Sequence, residues 1–266
     1  MMETSKLTAE RIKKYLKENK RFDGRSPTEF RNIEVETGIS KNAEGSARVR
    51  IGKTEVIAGV KMSIEKPYED SADQGNFMVT AEMLPLSSPR FEMGPPKFPA
   101  IELSRVVDRG LRESGFLDFK GLCIEEGERV WTVYVDIYTM NDDGNLLDAS
   151  ALAAIIAMKN ARFPKIDETT GKILYGEFTD KKLPLTNLIP MAITFCKVGD
   201  KIIVDPTREE EDVLDTRVTI GSSHGIISSM QKGESQALSE EEMHQILDLV
   251  EPTWNELFKK LEKHIK

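Results

Sequence analysis

The chain has 266 residues, with 37 Lys and Arg against 45 Asp and Glu, a net charge of −8 and only two cysteines. The cysteine count excludes a disulfide-built secreted scaffold, and 18 Gly with 12 Pro exclude a collagen-like or low-complexity chain. The length fits one large domain or two small ones, and a domain of this size buries roughly 70–75% of its unfolded surface.

Residues 1–25 are polar and hold no apolar h-region, so no signal peptide is expected. The longest apolar stretch, 146–158, is interrupted by Asp148 and Ser150 and is too short to span a bilayer. The expectation is a cytoplasmic chain without a membrane partner, its Cys123 and Cys196 reduced, buried and inert. The acidic balance argues against nucleic-acid binding by net charge and leaves room for a local basic groove.

Residues 7–19 read as a helix that Thr8 can cap, with Ile12 and Leu16 on one face. A turn follows at Arg21-Phe22-Asp23-Gly24-Arg25, its arginines suited to ion pairing or hydrogen bonding. Apolar residues alternate with polar ones over 47–65, which predicts two paired strands turned at Gly52-Lys53. Residues 76–84 form a further strand. Pro85, Pro89, Pro95, Pro96 and Pro99 then mark a loop that can be neither a central strand nor a helix interior.

A helix is predicted over 100–114, stopped by Gly115, and two strands over 121–140 with Gly127 between them. Residues 146–161 are apolar almost all round, which predicts a helix buried on most sides. The polar stretch 162–187, with Pro164 and Pro184, reads as a connector between two halves. Strands are expected over 189–198, 201–204, 217–222 and 226–230. A long helix over 239–265 follows, capped by Ser239 and Glu242 and holding Pro252. Strands followed by helices, twice, give an α+β or mixed α/β chain with two similar halves. The expected organisation is a single domain over 1–266, divided into an N-terminal helix and turn (1–24), a first half (25–162), a connector (163–188) and a second half (189–266).

The chain holds no Gly-rich phosphate loop with its lysine, no Gly-x-Ser-x-Gly and no zinc-type Cys/His cluster, and a metal site is not expected. His224, His244 and His264 are far apart in sequence, and the last two read as solvent-facing. Arg105, Arg109 and Arg112 share one helix face, and such a stripe can follow a phosphate backbone. Spacing alone favours a self-compensated face, in which Asp108 pairs with Arg112, Arg109 with Glu113 and Glu102 with Arg105. The acidic run from Asp205 to Asp212 ends a strand; it offers a general acid or metal ligands, although an exposed acidic turn is the commoner meaning. The Asp142-Asp143-Gly144-Asn145 turn precedes the buried helix, whose N-terminal amides suit an anion that the neighbouring aspartates would repel.

The ordered set of Arg21-Phe22-Asp23-Gly24-Arg25, the strand pair from Gly45 to Thr54, Glu102-Leu103-Ser104-Arg105 and Val204-Asp205-Pro206-Thr207 resembles the RNase PH-like family over nearly the whole chain. Within it, the extra N-terminal helix and the glutamates after Thr207 are most similar to the non-catalytic RNase PH-like subunits of archaeal exosomes. The resemblance implies an α+β RNase PH-like fold of two βαβα-like halves packed as one domain, with ribosomal protein S5 domain 2-like topology. It implies a hexameric ring, a trimer of heterodimers with a catalytic RNase PH-like subunit, with RNA-binding cap proteins on one face. Single-stranded RNA would enter the central channel and be degraded from its 3′ end by phosphorolysis.

Active relatives carry an arginine before the Glu-Leu-Ser-type helix, where this chain has Phe98-Pro99-Ala100-Ile101. They carry a Gly-Gly-Thr/Ser-Arg turn before the buried helix, where this chain has Gly144-Asn145-Leu146-Leu147. Leucine neither neutralises nor hydrogen-bonds phosphate. The resemblance thus implies no catalytic residue and no cofactor in this chain, a residual acidic site at Asp205 and Glu211 of undefined role, and RNA contacts through Arg105, Arg109 and Arg112. Two other readings stay open: an independently active phosphorolytic enzyme with a rearranged phosphate site, supported by Asp205 and the acidic cluster, and a homo-oligomeric RNA-binding module.

Overall fold

A computed structural model describes residues 4–167 and 169–265. Helix α1 (Lys6–Lys17) is capped by Ser5, whose Oγ accepts the Thr8 amide at 3.1 Å; Thr8 lies inside the first turn and is not the cap. Ile12 and Leu16 pack on Cys196, Val198, Ile203 and Val213, a small core separate from the main one.

The first sheet is built from β1 (Ile33–Thr37), β2 (Gly45–Ile51), β3 (Thr54–Glu65), β4 (Asn76–Met83), β5 (Cys123–Glu125) and β6 (Arg129–Asn141). Its order is β1-β2-β3-β6-β4, with β5 on β6, and only β4 runs parallel to its neighbour. The expected hairpin at Gly52-Lys53 is present. Strand β1 went unrecognised in the sequence because Ile33-Glu34-Val35-Glu36-Thr37 is short and largely exposed.

Helix α2 (Phe98–Arg112) begins two residues before the expected start, because Pro99 sits in its first turn, where a missing amide costs nothing. Helix α3 (Leu146–Asn160) is buried along most of its length. It packs on β2 and β3 with one side and on the second sheet with another, which explains its lack of a polar face. Its approach to β2 is close. A Cβ on Gly45 would lie 2.3 Å from the Ala157 carbonyl oxygen.

The stretch read as a polar connector contains a hairpin of β7 (Arg162–Ile166) and β8 (Ile173–Lys182). Its strands escaped the sequence reading because β8 is mostly exposed and carries no apolar alternation. Phe163 anchors the hairpin by edge-on contact with Trp131, ring centroids 5.2 Å apart.

The second sheet contains β9 (Met191–Val198), β10 (Lys201–Val204), β11 (Thr216–Ser223) and β12 (Ile226–Gly233) in the antiparallel order β10-β9-β11-β12. Between β10 and β11 lies a one-turn helix, α4 (Arg208–Glu211). This corrects the exposed acidic turn: Thr207 and Glu210 form a reciprocal capping box, and Asp205 and Glu210 are buried. Helix α5 (Glu240–Ile265) has the expected Ser239–Glu242 capping box, contains Pro252, and covers the second sheet with Ile246, Val250, Trp254 and Leu257.

Cys196 is buried as expected, whereas Cys123 is only half-buried at the start of an edge strand. His244 is exposed; His264 is half-buried near the end of α5, a correction to its expected solvent-facing position. Among the described residues no helix is long and apolar enough to cross a membrane.

Gly45→Ala is expected to destabilise the chain by about 1–3 kcal/mol through overpacking against α3. Gly59→Ala, whose added Cβ would meet its nearest neighbour at 3.8 Å, is expected to be near neutral. Urea unfolding of both variants checks the contrast.

Candidate functional site

The residual acidic site lies where β10 ends, and its geometry is that of an enclosed ion cluster. Asp205 is fully buried and has a left-handed backbone, φ +48°. Arg31 grips its carboxylate with the backbone amide (2.8 Å), Nε (2.9 Å) and Nη2 (2.7 Å). Arg25 Nη1 donates to Oδ2 at 2.9 Å and Asn145 Nδ2 to Oδ1 at 2.8 Å. Burial alone would raise the Asp205 carboxyl, but the Arg31 hydrogen bonds and charge, aided by Asn145, hold it below the usual carboxylate range.

A second ion pair closes the same region. Arg21 Nε donates to Glu210 Oε1 at 2.9 Å, while its Nη1 and Nη2 donate to the carbonyls of Val204 and Asp205. The expected Arg-Phe-Asp-Gly-Arg turn is thus a docking device for the β10–α4 corner.

The N-terminus of α3 is occupied by the protein itself. Glu211 Oε1 accepts the Asn145 amide at 2.6 Å, and Arg208 Nη1 donates to Glu211 Oε2 at 2.8 Å. Desolvation pushes the Glu211 carboxyl up to about 7; the Asn145 amide opposes that shift and the Asp142 charge adds to it. Gly144 is required here. Its φ is +85°, and a Cβ would lie 2.5 Å from the Pro206 carbonyl.

A cleft of about 380 Å³ opens beside this terminus, lined in part by Leu146, Leu147, Arg90, Arg208 and Arg217. Sequence reasoning missed these three arginines because they come from distant segments and no spacing joins them. Each is already balanced by acid. Arg90 pairs with Asp212 at 2.8 Å, Arg208 with Glu211 and Asp212, and Arg217 with Glu102 at 2.7 Å. The cleft therefore offers little uncompensated positive charge to a phosphate.

Deeper in, Asp148 is fully buried and accepts from Thr194 N (3.2 Å) and Oγ1 (2.7 Å). Desolvation pushes its carboxyl up to about 7 against those hydrogen bonds. Among the described residues no group of three or more His, Cys, Asp or Glu is arranged to hold a metal ion.

The arginine stripe of α2 lies on another surface, and the structure separates its three members. Arg112 is half-buried, donates to Asp108 at 2.7 Å and to the Phe77 carbonyl at 2.8 Å, and lies over the Phe77 ring. That is the expected Asp108–Arg112 pair. The other two expected pairs do not form: Glu102 reaches across to Arg217, and Arg109 and Glu113 make no ion pair among the described residues. Arg105 and Arg109 are exposed and border clefts on both sides of α2.

The sequence matches the model of the 3′ exoribonuclease family, domain 1, over residues 29–164 and domain 2 over residues 189–249. It is 47% identical over 235 residues to "Exosome complex component Rrp42" of Archaeoglobus fulgidus, covering 88% of each chain. To the protein of the same name from Methanocella arvoryzae it is 45% identical over 243 residues, covering 91% of this chain and 90% of the relative. A solved structure of the Archaeoglobus fulgidus exosome with RNA bound to the active site contains a chain that superposes with a TM-score of 0.88 at 43% identity, covering 96% of this chain and 98% of that one. A chain of an archaeal exosome core gives 0.85 at 40% identity, with 96% of each covered.

Arg31→Ala is expected to cost about 3–5 kcal/mol in urea unfolding, because it leaves Asp205 buried with too little positive charge. Asp148 and Glu211 hold their protons up to about pH 7 in the folded chain but only to about pH 4 when unfolded. The folded state therefore binds more protons between those limits, and these two groups make stability fall as pH rises through that window. Asp205 acts in the opposite sense: its contribution is fully present above the usual carboxylate range and is lost as pH falls below that range through the lowered folded pKa. Asp148→Asn is expected to flatten the decline between about pH 4 and about pH 7, read from urea midpoints against the unmodified chain.

Proposed function

The chain belongs to the 3′ exoribonuclease family, and from that premise we propose that it is the non-catalytic, RNA-guiding subunit of an archaeal exosome. In this reading it alternates with a catalytic RNase PH-like subunit in a hexameric ring, a trimer of heterodimers, with RNA-binding cap proteins on one face. The ring degrades single-stranded RNA from the 3′ end by phosphorolysis, and this chain contributes no reacting group.

The observation that carries the proposal is the Glu211 carboxyl group seated on the Asn145 amide. Phosphorolysis requires cations and amides that hold an anionic nucleophile against an anionic substrate, with an acid for the leaving oxygen. Here the Glu211 carboxyl already takes the cap amide at the helix N-terminus that suits an anion. Leu146 and Leu147 follow where active relatives place a hydroxyl residue and an arginine. Asp205, the candidate acid, is held ionised by Arg25 and Arg31 and is closed off from solvent, so it has neither a proton to give nor a path to a substrate.

RNA contact falls to α2. An acidic chain can guide a polyanion only through a local positive field, and Arg105 and Arg109 supply exposed charge without ion-pair partners among the described residues. Arg112 stands behind them, its charge shared with Asp108, and serves chiefly to fix the helix against Phe77. Contacts of this kind are sequence-independent and salt-sensitive.

Phosphate-dependent release of nucleoside diphosphate from an oligoadenylate, assayed with this chain, with its catalytic partner and with the mixture, tests the proposal. No release is expected from this chain alone, and a marked gain in the mixture. Release by this chain alone would support the independently active alternative. Arg105→Ala with Arg109→Ala is expected to weaken RNA binding by the mixture without dispersing the ring. It should also reduce the slope of log affinity against log salt by about 1.4, the share of two phosphate contacts on a single strand.

A further inference from the structure

Arg105 stands within one helical turn of two acids, and neither neutralises it. Glu102 lies three residues before it and Asp108 three residues after, both at spacings that set side chains next to each other on a helix. Asp108 pairs with Arg112 at 2.7 Å. Glu102 accepts from Arg217 Nη2 at 2.7 Å, across to β11 of the second sheet. Arg105 is left exposed, on the border of a cleft that Glu102 also lines.

Arg217 is built into its place. On β11 it stands between Cys196 of β9 and Gly233 of β12. Its guanidinium lies against the bare backbone of Gly233, where an added Cβ would be 2.6 Å from Cζ. The side chains of Glu102 and Arg217 are each only 15% exposed, so their attraction is screened less than a pair with the exposed Arg105 would be. Leu103 and Val107 are buried in the core and fix the face that α2 turns inward. With Arg217 uncharged, Glu102 would keep a half-buried carboxylate without a partner, which is costly. Arg90 and Arg208, in the cleft on its other side, are held by Asp212 and Glu211. Arg105 is the cation left open to Glu102.

We propose that Arg217 is a positioning residue for RNA contact: by holding Glu102 against the second sheet, it keeps the charge of Arg105 free for a phosphate of the strand. Arg217 itself touches no RNA in this arrangement. The role rests on the proposed RNA-guiding function of α2 and names the contact that maintains it. It also makes a distinctive demand on variants. Breaking the pair from the Arg217 side releases an acid onto Arg105, whereas breaking it from the Glu102 side releases none.

The test is equilibrium binding of the chain, mixed with its catalytic partner, to an oligoadenylate over a range of salt concentrations, with ring assembly checked by size exclusion. Arg217→Met is expected to lower the slope of log affinity against log salt by about 0.7, the share of one phosphate contact on a single strand, and to weaken binding about fivefold at about 0.1 M salt. Arg217→Gln, which keeps a neutral donor beside Glu102, carries the same expectation should the methionine variant fail to assemble. Glu102→Gln is expected to retain the affinity and slope of the unmodified chain, and Glu102→Gln with Arg217→Met is expected to restore both. In an Arg105→Ala background, Arg217→Met should add no further loss. Unchanged binding in Arg217→Met would overturn the role. So would an equal loss in Glu102→Gln, which would mean that the pair merely holds the helix. A double variant as weak as Arg217→Met would assign the loss to the charge of Arg217 itself and overturn the role as well. Arg105→Ala, titrated alongside, separates the two claims. Weakened binding there with no effect at Arg217 leaves the RNA-guiding reading standing and removes only the positioning role. Unchanged binding in Arg105→Ala removes Arg105 from the RNA contacts and the positioning role with it.

Discussion

The buried Asp205 carboxylate is where three distant parts of the chain meet. Arg25 and Arg31 come from the segment after α1, Asn145 from the start of α3, and Asp205 itself from the end of β10. Taking a carboxylate out of water is expensive, and it persists here because five donors converge on two oxygens. The same contacts hold Asp205 and Asn145 in left-handed backbone, a conformation that Asp and Asn tolerate better than most residues. The N-terminal segment, the first sheet's buried helix and the second sheet are thereby locked in one arrangement.

That lock governs what the neighbouring cleft can do. Arg31 also donates to the carbonyls of Asp143 and Gly144, so the turn before α3 is shaped by the cluster. With the turn fixed, Glu211 reaches the amide of the cap residue Asn145 and fills the position an anion would take. The arginines around the cleft face carboxylates instead of open solvent. The region keeps the outline of an anion-binding corner while its charges are spent on one another. The positive charge left for an external polyanion lies on α2, away from that corner.

The long helix α3 is the second organising element. Its side chains serve both sheets at once, and its small residues let β2 approach so closely that Gly45 has no room for a side chain. Asp148 is the polar residue this packing must accommodate. Thr194, itself linked to Thr219 at 2.9 Å, supplies its hydrogen bonds from the second sheet. Packing and a small polar network thus act together across the interface between the sheets.

Much of the architecture was legible in the sequence because it follows from short-range pattern. Strict alternation from Ala47 to Glu65 marked β2 and β3, Gly127 marked the β5–β6 turn, and the unbroken apolar run marked α3 as buried. The Ser239–Glu242 cap and the Asp108–Arg112 pair needed only helix spacing. The β7–β8 hairpin, β1 and α4 were not legible, because β8 lacks apolar alternation, β1 is only five residues long and largely exposed, and a one-turn helix is held by what it packs against. The family resemblance indicated that Asp205, Glu211 and the α2 arginines matter, but it left their states undefined. Tertiary structure alone decided that Asp205 is enclosed by arginines some 174 and 180 residues away, that Glu102 turns from Arg105 to Arg217, and that Arg105 and Arg109 are left exposed. The physical reason is one of range. Periodicity and caps act within a few turns of chain, whereas the charge state and exposure of an ionisable group depend on every charge folded against it.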